Sequence, residues 1–313
     1  MDSSEPNGEK SVINTATTDD EVSILFWNVE KGIHLDAACA WIADEAPDVV
    51  LWQEMQEADL LRVEERLWMR GFTAAKKSTS GNDNVVLVSH ESPFAVVEEH
   101  LHPWAPWHAP ANIVVRMRDG EHLSPRKLAL VSEHSCYWSA AKRLEEADWY
   151  STLAKGDWLT LVAGDWNSYR EGEAPDLTDV PDRAFYANRT WMADDGTRRS
   201  DDRPHRALTA AGYIEAAQWA AEQLGQYEAL SPTAGYGERK ARQGGPSAID
   251  RGYLVKELAP AIKRVQIGDP EQFADKSDHA PGLIVFHRSV LAAVMNNEPA
   301  AHLPHTKELE LHG

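Results

Sequence analysis

Two cysteines in 313 residues, Cys39 and Cys136, supply neither a disulfide framework nor the paired spacing of a structural zinc site. The chain has no HExxH, no GxxxxGK[ST] and no GxSxG. An HExxH-type zinc hydrolase, a P-loop nucleotide site and a serine-hydrolase elbow therefore have no support. No apolar run approaches the ~20 residues of a membrane span. The opening MDSSEPNGEKSVINTATTDDE is polar and acidic, without the apolar stretch of a secretory signal. Basic residues are scarce: 31 Lys and Arg against 50 Asp and Glu leave a formal net charge of −19. Such a surface disfavours indiscriminate binding to a phosphate backbone, although it permits a local basic cleft. Two unpaired cysteines fit a reducing cytoplasm best.

What remains is soluble and globular in composition, 42% hydrophobic and 26% charged, with enough apolar residues for a large core. Residues 1–21 read as a disordered acidic leader, 22–290 as one folded domain and 291–313 as a flexible tail. Apolar runs expected to be strands recur at Val22–Trp27, Val49–Trp52, Val85–Ser89, Ile113–Met117, Leu128–Ser132, Leu159–Ala163, Ile249–Val255 and Gly282–Phe286. Several are apolar on both faces, as in a sheet covered on both sides. Leu35, Ala38, Cys39 and Ile42 form a helical stripe that stops before Pro47, with Cys39 a small core residue. Leu60, Val63 and Leu67 form another, expected to close at Gly71. Ala140–Ala154 and the segment HRALTAAGYIEAAQWAAEQLG, broken at Gly212, are also expected to be helical. Residues 170–204 and 232–247 read as long loops. The order is mixed rather than strictly alternating, which predicts two sheets packed together with helices outside.

Polar residues gather where the apolar runs end. ILFWNVE delivers Asn28 and Glu30; DVVLWQEM delivers Gln53 and Glu54; LALVSEHS delivers His134. LTLVAGDWNS delivers Asp165 and Asn167, which period two sets on one side of an extended chain. SAIDRGYLV carries Asp250, and KSDHAPGLIVF opens with Ser277, Asp278 and His279. Carboxylates, amides and imidazoles with almost no lysine suit one chemistry. Mg²⁺ takes hard oxygen ligands and needs only one or two carboxylates. Hydrolysis of a phosphate ester needs an in-line water and charge stabilisation around phosphorus. A His held by a carboxylate is fixed in tautomer and stabilised when protonated.

In this order the motifs WNVE, PDVVLWQEM, GDWN, AIDRGYLV and SDHAPGLIVF resemble those of the endonuclease/exonuclease/phosphatase superfamily, over residues 24–286. The resemblance implies a four-layered α/β sandwich, two mixed β-sheets packed face to face with helices outside, and a site at one edge between the sheets. It implies Mg²⁺, with Mn²⁺ as a substitute, held chiefly by Glu54 and assisted by Glu30 and Asp278. Asn28 and Asn167 would orient phosphate oxygens or Asp165, and Asp165 would align or deprotonate the attacking water. His279, paired with Asp250, would contact the phosphoryl group or act as base. His134 would stabilise the pentacoordinate phosphorus or assist the leaving group. The sequence departs from the pattern at Ser135, where an apolar residue is usual, and at GGPSAID, which lacks the usual Arg before the ID motif although Arg251 follows. Trp166 fills the variable GDxN position and reads as packing.

Loops are expected to set the substrate. Arg198, Arg199, Arg203 and Arg206, with Arg239, Lys240 and Arg242, are candidates to flank the cleft and bind further phosphates. Among them Arg239 and Arg242, together with Arg251, are the expected substrate contacts. Trp104 and Trp107 in HLHPWAPWHAP are candidates to stack unpaired bases. The expected function is a metal-dependent phosphodiesterase or nuclease on nucleic acid. The alternatives are a phosphatase or phosphodiesterase on a small or lipid-linked phosphate, which the acidic charge favours, and an inactive member that binds a partner. Nothing in the sequence calls for an obligate protein partner.

Overall fold

The computed structural model describes residues 20–75, 82–154, 158–237 and 242–297. Of the expected leader 1–21 and tail 291–313, residues 1–19 and 298–313 lie outside the described residues. Its strands are β1 (Glu21–Asn28), β2 (Val49–Gln56), β3 (Met69–Thr73), β4 (Asn82–Ser89), β5 (Phe94–His100), β6 (Ala111–Asp119), β7 (His122–Leu123) and β8 (Lys127–His134). They continue with β9 (Trp158–Asp165), β10 (Thr190–Met192), β11 (Arg198–Ser200), β12 (Tyr213–Glu215), β13 (Asp250–Val255), β14 (Ile262–Ile267) and β15 (Gly282–His287). The helices are α1 (Leu35–Glu45), α2 (Leu60–Leu67), α3 (Ala140–Ser151), α4 (Arg183–Arg189), α5 (Arg203–Ala210), α6 (Ala216–Leu224), α7 (Pro270–Phe273) and α8 (Arg288–Asn296).

One sheet has the order β14-β15-β1-β2-β4-β3, the other β12-β13-β9-β8-β6-β5 with β7 against β6. Each sheet is antiparallel except for one central parallel pair, β1 with β2 and β8 with β9. Period-two alternation decides the layers. On β1, Val22, Ile24 and Phe26 face the second sheet and join one core with Ile113, Leu161 and Leu254. Leu25 and Trp27 turn the other way, onto Leu35, Ala38, Cys39 and Ile42 of α1 and Val63 of α2. α3 and α6 cover the far face of the second sheet through Ala147, Tyr150, Ala217 and Ala220. The result is the four-layered sandwich, helix on sheet on sheet on helix. Complete burial of Phe26, Trp27, Leu51 and Trp52 contributes roughly 1.5–3 kcal/mol per side chain.

Several local expectations need correction. α2 does not close at Gly71. It ends at Leu67, with Trp68 in the left-handed conformation, and Gly71 lies inside β3, where a Cβ would come 2.7 Å from Leu60 Cδ1. The segment read as helix around Gly212 contains strand β12 between α5 and α6. The stretch 170–204 is not all loop. It holds α4 and the β10–β11 hairpin, elements too short to show a period. The folded unit runs past residue 290, because α8 buries Leu291 and Met295.

Candidate active site

The parallel pairs set the site. Parallel neighbours end at the same edge of a sheet, so Asn28 at the end of β1 stands opposite Gln53 of β2. In the second sheet His134 stands opposite Asp165, and antiparallel β13 brings Asp250 against Asp165 from the other side. Gln53 ties the two sheets together beneath this edge. Its Nε2 donates to Leu51 O and Ser132 Oγ, both at 2.9 Å, while Ser132 Oγ donates to Trp52 O.

Glu54 needs a further device. The pairing of β2 with β4 shifts between Trp52 and Met55, and Glu54 takes φ 62° in that bulge. A bulge re-aims a side chain that regular pleating would send elsewhere. Asn167 (φ 48°), Glu30 (φ 47°) and Lys31 (φ 59°) adopt the same unfavourable region. All four line one cleft, whereas the other described non-glycine cases, Ala46 and Trp68, simply end helices. Such a residue costs of order 1–3 kcal/mol, and clusters of them mark functional sites.

The SDH turn is fastened to the end of β1. Ser277 Oγ donates to Asn28 O at 2.7 Å, His279 N–H to Ser277 Oγ at 3.1 Å, and Trp27 Nε1 to His279 O at 2.8 Å. In the cleft, Asn28 Nδ2 lies 3.4 Å from Glu54 Oε1 and 3.3 Å from Asp165 Oδ2. Asp165 Oδ2 is 3.6 Å from His134 Nε2 and 4.0 Å from His279 Nε2. His134 Nε2 is 3.9 Å from Glu54 Oε1. Asn167 donates its backbone N–H to Asp165 Oδ1 and its Nδ2 to Ser135 O. Asp250 lies behind His279, 2.8 Å from its Nδ1, and accepts from Thr233 Oγ1.

Asn28, Glu30, Glu54, His134, Asp165, Asn167, Asp278 and His279 thus share a cleft of about 1090 Å³. Trp107 lines it, edge-on to Trp138. Trp104 does not, and is 92% exposed. Arg251 points away from the cleft: it is buried over Tyr253 and donates to Ser168 Oγ. The reason is pleating, which puts neighbours on opposite faces, so Asp250 in the site requires Arg251 behind it. Arg242 is exposed and outside the cleft, and Arg239 and Lys240 lie outside the described residues. Arg198, Arg199 and Arg206 surround a separate cavity of about 330 Å³, while Arg203 bonds Asp201 and Ala140 O. Among the cleft residues not singled out from the sequence are His108 and Arg189. His108 stacks on His134 at 5.1 Å, and Arg189 bonds Asn167 Oδ1. Ser135, the departure noted above, links β8 to β9 by donating its N–H to Asp165 O.

Burial acts to raise the Asp165 carboxyl, but His279, His134 and Arg189 outweigh it, and its pKa lies below the usual value. Burial acts to lower His279, yet Asp250, Asp165 and Glu54 raise it to about 9. Burial also raises the Asp250 carboxyl, so the pair retains its proton, and the ring of carboxylates holds it on the imidazole.

The donor set fits a hard divalent cation. Glu54, Glu30, Asp278 and Asp165 present carboxylate oxygens to the cleft, and Mg²⁺ needs one or two of these plus waters. Among the described residues, one group, Asp165, Asp250 and His279, has ligand atoms within 4.8 Å of one another. Its Asp250 and His279 are already joined by hydrogen bonds.

Gly164 of the GDWN stretch is required by this packing. It has φ 152°, and a Cβ there would sit 1.9 Å from Glu133 O on the paired strand. Gly164→Ala is expected to destabilise the protein by more than about 3 kcal/mol in urea unfolding and to misplace Asp165.

Behind His134, Glu146 of α3 accepts from Cys136 N–H, and burial pushes its carboxyl up to about 8. The folded state therefore favours the protonated acid. Stability falls as pH rises above the ordinary value near 4.5, and the loss is complete above about 8. Glu146→Gln should remove that loss, gaining on the order of 2–4 kcal/mol over wild type between pH 5 and pH 9 in urea titrations.

A family model described as "Endonuclease/Exonuclease/phosphatase family" matches residues 25–239. A search of curated proteins found no match. Among solved structures, the chain is similar to an endonuclease/exonuclease/phosphatase from Bacteroides vulgatus, at 15% identity and TM-score 0.58, covering 85% of this chain and 98% of that one. It is similar to humanized D. rerio TDP2, at 18% identity and TM-score 0.56, covering 86% and 99%. An AP endonuclease from Archaeoglobus fulgidus gives 15% identity and TM-score 0.56, covering 85% and 99%. At these identities the structural likeness speaks for the fold.

Proposed function

The chain belongs to the endonuclease/exonuclease/phosphatase family, and from that premise we infer that it is a divalent-metal-dependent phosphodiesterase that cleaves nucleic acid. The observation that carries this reading is convergence. Six side chains from five stretches, Asn28, Glu54, His134, Asp165, Asn167 and His279, meet at one cleft over the ends of two parallel strand pairs.

Glu54 is the principal metal ligand, with Glu30 and Asp278 beside it. Mg²⁺, or Mn²⁺ in its place, supplies positive charge to the phosphoryl and leaving oxygens when bound. Asp165, held ionised by its cationic neighbours, orients the attacking water and takes its proton. Asn28, through Nδ2, and Asn167, through its backbone N–H, hold the Asp165 carboxylate in place. His279, charged against Asp250, faces the developing negative charge around phosphorus. His134 Nε2, within 4 Å of both Glu54 and Asp165, serves the leaving group.

Nucleic acid as substrate is supported by the shape of the cleft, with Trp107, Tyr137 and Phe185 on its walls to meet bases by stacking. One similar structure is of D. rerio TDP2 complexed with single strand DNA product. The net charge of −19 favours the second reading, a small or lipid-linked phosphate. No helix among the described residues is long and apolar enough to cross a membrane. The free, buried Cys39 and Cys136 are compatible with the cytoplasm as the compartment of action.

A panel of plasmid, single-stranded DNA, RNA and bis-p-nitrophenyl phosphate, each with Mg²⁺, separates the readings. Cleavage of a polynucleotide supports the first. Cleavage of the aryl diester with every polynucleotide left intact favours the second.

A further inference from the structure

We propose that Arg189 is a phosphate-binding residue of the cleft, carried there by the chain that follows β9. This rests on the phosphate-ester reading above and adds to it the group that receives the anion. Glu30, Glu54, Asp83, Asp165, Asp182 and Asp278 line the cleft, and the lysine and arginine lining it among the described residues are Lys31 and Arg189 alone. Lys31 is exposed; Arg189 is half-buried. An acid-lined cleft repels phosphate unless cations face it, so the placement of Arg189 matters beside that of the metal.

The backbone at Arg189 is fixed from several sides. Arg189 O accepts from Asp201 N–H at 3.0 Å, and Asp201 O accepts from Tyr169 N–H at 2.9 Å, just beyond the GDWN motif. Arg143, fully buried, donates through Nε and Nη2 to Asp201 Oδ2 at 3.1 and 2.9 Å. The same guanidinium donates to Asn188 O at 2.7 Å and to Cys136 O at 2.9 Å. One buried ion pair thereby joins the end of α4, the chain after Asn167 and the loop after His134. Arg143 and Asp201 are positioning residues for Arg189.

The side chain is aligned but not neutralised. Its Nη2 donates to Asn167 Oδ1, and its Cζ lies 5.3 Å from the Phe185 ring centroid. Its Nη1 is buried without a hydrogen-bond partner among the described residues. No carboxylate pairs with it there, although Asp165 feels its charge. A guanidinium held by one amide, with a second donor unpaired, is suited to clasp a non-bridging phosphoryl oxygen; the planar fork suits phosphate better than an ammonium does.

The test uses three variants and three readouts. Binding of inorganic phosphate in the presence of Mg²⁺, followed by calorimetry, should weaken by roughly tenfold or more in Arg189→Ala and Arg189→Gln. Hydrolysis of bis-p-nitrophenyl phosphate should fall by roughly a hundredfold in kcat/KM, less in Arg189→Lys, with the melting temperature and its response to Mg²⁺ unchanged. Arg189→Gln keeps a donor for Asn167, so a merely structural role would leave it active. Added methylguanidine should restore activity to Arg189→Ala and leave wild type unaffected. Wild-type turnover with undiminished phosphate binding and activity in Arg189→Gln overturns the assignment while the phosphodiesterase reading stands. Arg189-dependent phosphate binding in a wild type that cleaves no ester sustains the assignment and overturns the phosphodiesterase reading. A wild type that binds no phosphate overturns the assignment of Arg189.

Discussion

Glu54→Gln is expected to cut metal-dependent hydrolysis by roughly a thousandfold or more in kcat/KM, and to abolish the rise in melting temperature that Mg²⁺ gives the wild type. The substitution preserves shape and the contact with Asn28 Nδ2, so the fold should survive. It removes the charge on the one carboxylate that a bulge and a left-handed backbone aim into the cleft. A stability linkage of RT ln(1 + [L]/Kd) reports the metal directly, so calorimetric melting with and without Mg²⁺ separates loss of the ion from loss of chemistry. An active variant with an intact Mg²⁺ response would remove Glu54 from the metal site.

Asp165→Asn should be as damaging to turnover, roughly a thousandfold in kcat, yet should keep the Mg²⁺ response. The amide retains an oxygen for Asn167 N–H but accepts no proton from water. It also leaves His134, His279 and Arg189 without the anion they surround, so a lower melting temperature is expected at every metal concentration. Steady-state kinetics and melting curves on the same preparation distinguish the roles. Loss of the Mg²⁺ response would make Asp165 a ligand, and activity within tenfold of wild type would place the base elsewhere.

The contrast between these residues shows how far the chain announces its site. Asn28, His134 and Asp165 were legible because each ends an apolar run, and strand ends are where a buried sheet meets solvent. Glu54 is legible from the PDVVLWQEM motif, but the bulge that turns it into the cleft and leaves Gln53 under it has no local signature. The paired parallel strands were not legible either, since they depend on contacts between distant segments. Arg251 follows the ID motif and so reads as a substrate contact, although alternation with Asp250 sends its side chain to the opposite face. Arg189 was missed because α4 spans seven residues within a stretch rich in Asp, Arg and Pro, where no apolar stripe marks a helix. Its role depends on Arg143 and Asp201, which lie 46 and 12 positions away in sequence.

The most direct test of convergence on one ion is hydrolysis of bis-p-nitrophenyl phosphate by the wild type, first with Mg²⁺, then with excess EDTA, then with Mg²⁺ restored. Turnover that vanishes with the chelator and returns with the metal is the predicted result. Turnover indifferent to EDTA, or none with either Mg²⁺ or Mn²⁺, would contradict it.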